Sequence, residues 1–340
     1  MIILSNAIKT YKEILNDLNN PENKDCHHLN RSILLPNKIR ILYIIIAASK
    51  QRMIAVKIPN EHISLSSFPK WKGIEFKTGT ISDYDNYDQG NNYVIISQSH
   101  GCDSSIFEVI ANDISEELYK AKNTAKTVEC IKSTINKWKQ FFSLNSDIVM
   151  SDAAQMGLYG ELLVLKKLIC QFGEKAVGYW CGAEKETHDF YLFGSAVEVK
   201  TTASKSETKV KISSEHQLDC TDIEKNLVLY VNIIRKSSAD GEKLPALIDE
   251  IQSLLSSEMK DEFDKKLFMY GYIPSFKDKY DICFYVRAKK IFWVNDNFPC
   301  ITPKDLSTGI SEVTYTLDLN VCTDFSVSWE KAIARITERK

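Results

Sequence analysis

The segment Leu227 to Ile234 reads Leu-Val-Leu-Tyr-Val-Asn-Ile-Ile, without polar alternation apart from Asn232. Successive strand side chains point to opposite faces, so a run of this kind belongs to a central strand buried on both sides. That requirement favours an α/β layered architecture. The preceding segments supply suitable layers. Leu158, Leu162, Leu165 and Ile169 recur at helical spacing within Gly157 to Cys170. Short strands are expected at Ala176 to Trp180, Asp189 to Phe193 and Ala196 to Thr201, then a polar, lysine-containing stretch to Ser214. Beyond the apolar run come helices at Ala246 to Leu255 and Glu258 to Tyr270, then strands at Ile282 to Val286, Ile291 to Val294 and Glu312 to Leu319. The last alternates Val313, Tyr315, Leu317 and Leu319 with polar residues, so one face is buried.

The N-terminal part has a different pattern. A helix is expected over Ser5 to Leu18, a polar stretch over Asn19 to Asn30, and a hairpin from Arg40 to Ala47 and Met53 to Ile58. The Asp/Asn/Tyr/Gly-rich segment Asp83 to Asn92 reads as a loop before a strand at Tyr93 to Ser97. Ile106, Val109, Ile110, Ile114 and Leu118 mark a helical face, with Ser105 and Glu108 as a capping box. A second helix spans Val128 to Phe142. These patterns give three regions: an N-terminal α+β domain over residues 1–142, a core over 143–235, and a C-terminal α/β region over 236–340.

Composition excludes several classes. The longest apolar run, Ile41 to Ala48, is too short to span a bilayer. Met1 to Leu4 lack a basic leader and a full apolar region, which argues against secretion. Nine scattered cysteines without a CxxC pair fit reduced, mostly buried thiols in a cytoplasmic protein. Cys26, His27 and His28 lack a partner cluster for zinc, and no Gly-rich loop ends in Gly-Lys-Ser/Thr. The formal net charge of -2 does not advertise nucleic-acid binding, although a basic patch can coexist with a near-neutral total.

One cluster carries chemistry. Asp189 is followed after eight residues by Glu198, and after one more by Lys200. With a tight turn at Gly194 and Ser195, Asp189 stands opposite Lys200, Glu198 lies diagonal to it, and all three share one face. Val197 and Val199 then point into a core. Two hard carboxylates suit Mg²⁺, and a divalent ion serves phosphodiester hydrolysis by polarising phosphate and acidifying water. Lys200 would position the attacking water or balance phosphoryl charge. The Val199 carbonyl is a further candidate oxygen ligand. The competing reading is an Asp–Lys–Glu surface ion-pair patch, which contributes little to stability.

The segments GLYGELLVLKKLI, GYWCGAEKETHDFYLFGSAVEVKTT and ISSEHQL resemble the PD-(D/E)XK nuclease superfamily, and within it a bacterial family of PD-(D/E)XK motif proteins found among restriction-modification and phage-defence genes. Phe141, Phe142 and the tail segments YDICFYVRAKKIFWVNDNFPCI and VTYTLDL extend the resemblance over most of the chain. It implies a restriction-endonuclease-like core with a mixed β-sheet. It gives Asp189, Glu198 and Lys200 the motif positions, Glu161 the helix glutamate that helps bind metal, and Gln217 the glutamine after the lysine strand. His188 stands where the motif name has proline.

The resemblance implies Mg²⁺, with Mn²⁺ as substitute, as cofactor of an endonuclease acting on double-stranded DNA. It also implies defence-system partners, a methyltransferase or ATPase among them. Two sites in a homodimer would cut both strands most simply, though the residues themselves do not encode dimerisation. The alternative function is a DNA-binding or complex-forming subunit without independent cleavage. Gly157 and Gly160 beside Glu161 suggest a close approach of sheet or DNA backbone; a solvated glutamate at the helix start is the simpler alternative. Lys205, Lys209 and Lys211, interleaved with serines and threonines, are candidates for DNA-backbone contact or for a solvated loop. Trp180 reads as core rather than as a stacking platform.

Overall fold

The computed structural model describes residues 6–58, 68–69, 71, 73–82, 84, 90–100, 102–121, 123–144, 149–184, 186–203, 208–237 and 240–338. The chain divides into two compact units, Met1–Ser146 and Asp147–Lys340. Most of the segment 83–92 and Lys205 lie outside the described residues.

The first unit is built on an antiparallel sheet of five strands in the order β1-β2-β3-β5-β4. These are β1 (His28–Leu34), β2 (Arg40–Ile46), β3 (Arg52–Lys57), β4 (Ile74–Gly79) and β5 (Tyr93–Gln98). The inner strands β2, β3 and β5 are almost wholly buried, and the edges β1 and β4 are largely polar and exposed. One face of β2 and β3 packs Leu42, Ile44, Met53 and Ala55 with Tyr93 and Ile95. The helices α1 (Ala7–Leu18) and α2 (Ser104–Lys120) hold the sheet through side-chain hydrogen bonds. Tyr11 in α1 donates to the Met53 carbonyl at 2.8 Å, and Tyr43 Oη lies 2.7 Å from Ser115 Oγ in α2. A third helix, α3 (Thr127–Leu144), packs on α2. The expected Ser105–Glu108 capping box does not form. Asp103 caps α2 by accepting the Ser105 N–H at 2.7 Å, while Glu108 pairs with Arg52 Nε at 3.0 Å.

The second unit has an α/β architecture: a mixed five-stranded sheet, flanked by helices, in the order β10-β11-β9-β7-β6. Its strands are β6 (Phe190–Leu192), β7 (Ser195–Thr202), β9 (Leu227–Ser237), β10 (Glu242–Lys243) and β11 (Cys283–Val294). β7 and β9 pair in parallel and the other neighbours are antiparallel. The apolar run is thus a central strand, with Leu227 to Ile234 buried throughout. Leu227, Leu229, Val231 and Ile233 join one core with Val210 and Ile212 of β8 (Lys209–Ile212) and Leu317 of β12 (Tyr315–Asp318). β8 and β12 form a separate two-stranded ribbon. The long helix α4 (Asp152–Phe172) packs against β7. Ser151 caps its start, and Gly173, with a φ of 77°, ends it in a conformation that L side chains resist. The shorter helices are α5 (Leu244–Ser253), α6 (Ser257–Tyr270) and α7 (Trp329–Thr337).

Several expected elements differ. Ala176 to Trp180 is no strand: Glu174–Tyr179 is a 3-10 helix, with Trp180 bridging to Phe190 beyond it. Short apolar runs do not distinguish these states by pattern alone. The two expected strands between Ile282 and Val294 are one, β11, broken in register between Val286 and Ala288. Of the nine free cysteines only Cys283 and Cys322 are buried, so the thiols are not mostly buried. Among the described residues, no helix is long and apolar enough to cross a membrane.

Candidate active site

The hairpin β6–β7 turns one residue earlier than its sequence suggests. The register pairs Phe190 with Val197, Tyr191 with Ala196 and Leu192 with Ser195, leaving Phe193 and Gly194 as the two turn residues. Their φ values of 52° and 78° are the positive pair that a type I′ turn demands. Phenylalanine is a poor residue for that conformation. Its ring packs against Phe172 and Tyr179, with centroids 5.4 and 5.7 Å away. This shift corrects the expected pairing: continuing the register sets Asp189 opposite Glu198, not Lys200.

Alternation along β7 sends Val197 and Val199 away from Glu198 and Lys200. Glu198 is only 1% exposed. Its Oε1 lies 2.7 Å from the Lys200 ammonium, and its Oε2 is buried without a hydrogen-bond partner among the described residues. Asp189 Oδ2 accepts the Val199 N–H at 2.7 Å, so at Val199 it is the amide proton that meets the cluster. The Asp189 carbonyl in turn accepts the N–H groups of Cys181 and Gly182 at 2.8 and 3.1 Å, fixing the segment that carries Trp180.

Glu161 comes from α4. It is buried, and both carboxylate oxygens are engaged: Trp180 Nε1–H donates to Oε2 at 2.8 Å and the Tyr270 hydroxyl to Oε1 at 2.6 Å. A Cβ placed on Gly182 would collide with Glu161 Oε2 and stand 3.1 Å from Asp189 Oδ1, so both carboxylates line the same small space. The neighbouring glycines also have identifiable reasons. A Cβ at Gly160 would strike Thr201 Oγ1, and one at Gly157 would stand 3.3 Å from the Tyr270 hydroxyl. Gly160 thus admits close approach of the sheet, and Gly157 makes room for a tyrosine.

Burial is the leading cause of the electrostatics. It raises Glu161 well above the usual carboxylate range, with Asp189 nearby adding to the effect. It raises Asp189 to about 6 against the stabilising Val199 N–H and Lys200. It raises Glu198 to about 8, again with Asp189 adding and Lys200 opposing. Clustered, desolvated carboxylates hold protons until a cation replaces them. Beside them, burial pushes His188 down to about 4, and its Nδ1 lies 3.0 Å from the Tyr191 hydroxyl.

Other expected residues lie elsewhere. Gln217 does not bring its side-chain oxygen to the carboxylates: Oε1 accepts the Ser213 N–H at 2.9 Å and closes a local turn. Lys209 and Lys211 are exposed on β8, in the ribbon with β12. Trp180 is fully buried, yet its indole also contacts Glu161. Trp180 and Tyr270 are the site residues that sequence reasoning missed. Among the described residues, no group of three His, Cys, Asp or Glu side chains has the spacing of a ready metal site. Each carboxylate is turned onto a donor: Glu198 to Lys200, Asp189 to Val199, and Glu161 to Trp180 and Tyr270.

Residues 11–320 match the family model described as "Putative PD-(D/E)XK family member, (DUF4420)". The chain belongs to that family. No curated protein and no solved structure matches it. The DUF4420 match takes in Glu161, Asp189, Glu198 and Lys200 together with most of the first unit.

Proposed function

We propose that this chain is a metal-dependent endonuclease that hydrolyses phosphodiester bonds of double-stranded DNA, as the restriction component of a bacterial defence system. The observation that carries the reading is the β6–β7 register, which continued by one residue sets Asp189 opposite Glu198, together with Lys200 on the Glu198 carboxylate at 2.7 Å. Asp189, Glu198 and Glu161 would hold Mg²⁺ or Mn²⁺, with the Val199 carbonyl as a further oxygen. The donor set fits: it is all hard oxygen, Glu198 Oε2 is buried and has no hydrogen-bond partner among the described residues, and the glycine at 182 keeps open the space between Glu161 and Asp189. When bound, such an ion supplies Lewis acidity toward the phosphate and lowers the pKa of water at the site.

Lys200 then has two tasks. Released from Glu198, its ammonium orients the attacking water and balances charge developing on the phosphoryl oxygens. Asp189 and Glu198 stay ionised when cation charge replaces their protons. Lys209 and Lys211, with Lys205 beside them in sequence, contact the DNA backbone. The first unit recognises target sequence, modification state or a partner protein, and a homodimer supplies one site per strand. Incubating the protein with plasmid DNA and Mg²⁺ or Mn²⁺, alongside Glu198→Gln and a chelator control, tests this. Metal-dependent linearisation lost in the variant is the expected result.

A second reading has its own support. Because every carboxylate is engaged with a donor and no ready ion site forms among the described residues, the chain could serve as a DNA-binding or complex-forming subunit with no independent cleavage. DNA binding without cleavage, with or without candidate methyltransferase or ATPase partners, would select it.

A further inference from the structure

Helix α6 lies outside the region that carries the acidic motif, yet it reaches the site at two successive turns. Lys266, itself buried, donates to the Trp180 carbonyl at 2.6 Å and to Glu184 Oε1 at 2.8 Å. Tyr270, four residues on, places its hydroxyl 2.6 Å from Glu161 Oε1. Its ring stacks on Trp180, with centroids 6.1 Å apart and planes 26° apart, and the Trp180 indole N–H takes the other Glu161 oxygen at 2.8 Å. Opposite the hydroxyl, α4 carries Gly157, where a Cβ would stand only 3.3 Å away.

We infer that Tyr270 is a positioning residue for Glu161, acting with Trp180 as a two-donor clamp that fixes which way this carboxylate faces. The inference rests on the metal-binding reading proposed above. A glutamate side chain has three rotatable bonds, and a buried one can turn away from an ion to find donors elsewhere. One donor on each oxygen removes that freedom while leaving each oxygen a second lone pair. Outer partners of this kind orient ligands, and their loss typically costs about 10- to 100-fold in metal affinity. Lys266 supports the clamp indirectly by holding the Trp180 backbone.

The test uses the full chain and Mn²⁺ alone, by titration calorimetry, in a double-mutant cycle of wild type, Tyr270→Phe, Glu161→Gln and the double variant. Circular dichroism checks that each is folded, and tryptophan emission is followed during each titration. Tyr270→Phe is expected to weaken Mn²⁺ binding about tenfold and to change nothing further once Glu161 is glutamine. Non-additivity of that kind marks action through Glu161 rather than general loosening. The wild-type Mn²⁺-dependent change in emission is expected to shrink in Trp180→Phe, as Trp180 touches the ligand. Should Tyr270→Phe not fold, Trp180→Phe carries the same cycle. Equal Mn²⁺ affinity in Tyr270→Phe and wild type, or equal losses in both Glu161 backgrounds, overturns the inference while the metal site stands. A wild-type protein that binds no Mn²⁺ overturns both.

Discussion

Glu198 and Lys200 sit two residues apart on one strand face with carboxylate oxygen and ammonium 2.7 Å from each other. The lysine lowers the proton affinity of both Glu198 and Asp189. Its removal separates two roles. Lys200→Ala should retain Mn²⁺ binding by calorimetry and lose cleavage by roughly two to three orders of magnitude, the usual cost of removing a charge-stabilising group. Wild-type cleavage rates in this variant would reduce Lys200 to an ion-pair partner.

Asp189→Asn should behave differently. The amide keeps an oxygen for the Val199 N–H but loses the negative charge. Metal affinity and cleavage should fall together. Calorimetry and the plasmid assay on one preparation check this, and unchanged Mn²⁺ affinity would remove Asp189 from the ligand set.

Stability should depend on pH in an unusual direction. The folded values of about 6 for Asp189 and about 8 for Glu198 lie above the ordinary 3.8 and 4.5. Between these limits the folded chain binds more protons than the unfolded one, so this contribution is full at low pH and is lost as pH rises through about 8. Denaturation in chelator at pH 5 and pH 8 should show a loss of roughly a few kcal/mol at the higher pH. Glu198→Gln should flatten much of that slope, and Mn²⁺ should restore wild-type stability at pH 8. A slope unchanged in Glu198→Gln would place its origin elsewhere.

The contact between α4 and β7 gives a purely structural prediction. A methyl group at Gly160 meets Thr201 Oγ1, and it stands 3.1 Å from Asn232 Nδ2. Alanine favours a helix over glycine by about 1 kcal/mol, whereas overpacking costs about 1–3 kcal/mol. Gly160→Ala should therefore lower the unfolding midpoint, and Thr201→Ala in the same chain should recover much of the loss. A stabilised Gly160→Ala protein would mean the interface relaxes easily.

The sequence made the central strand legible because Leu227 to Ile234 lacks alternation, and made α4 legible through its apolar stripe. Edge strands were harder. β1 and β4 lie at the borders of their sheet, where polar residues face solvent and resemble loops. The hairpin register was missed because Phe193 occupies a positive-φ position that pattern reasoning reserves for glycine or asparagine. Trp180 and Tyr270 were hidden for another reason. Nothing in a local pattern tells a tryptophan filling the core from one whose indole also meets a buried glutamate, and Tyr270 is 109 residues from Glu161.

That separation has a bearing on biosynthesis. Asp189, Glu198 and Lys200 leave the ribosome before Tyr270 has been added, and at about 5–20 residues per second the interval is on the order of several seconds. During it Glu161 has only one of its two clamping donors. A nascent chain therefore carries every acidic side chain of the site before it carries the means to hold Glu161 from both sides, and the finished geometry waits on its C-terminal portion.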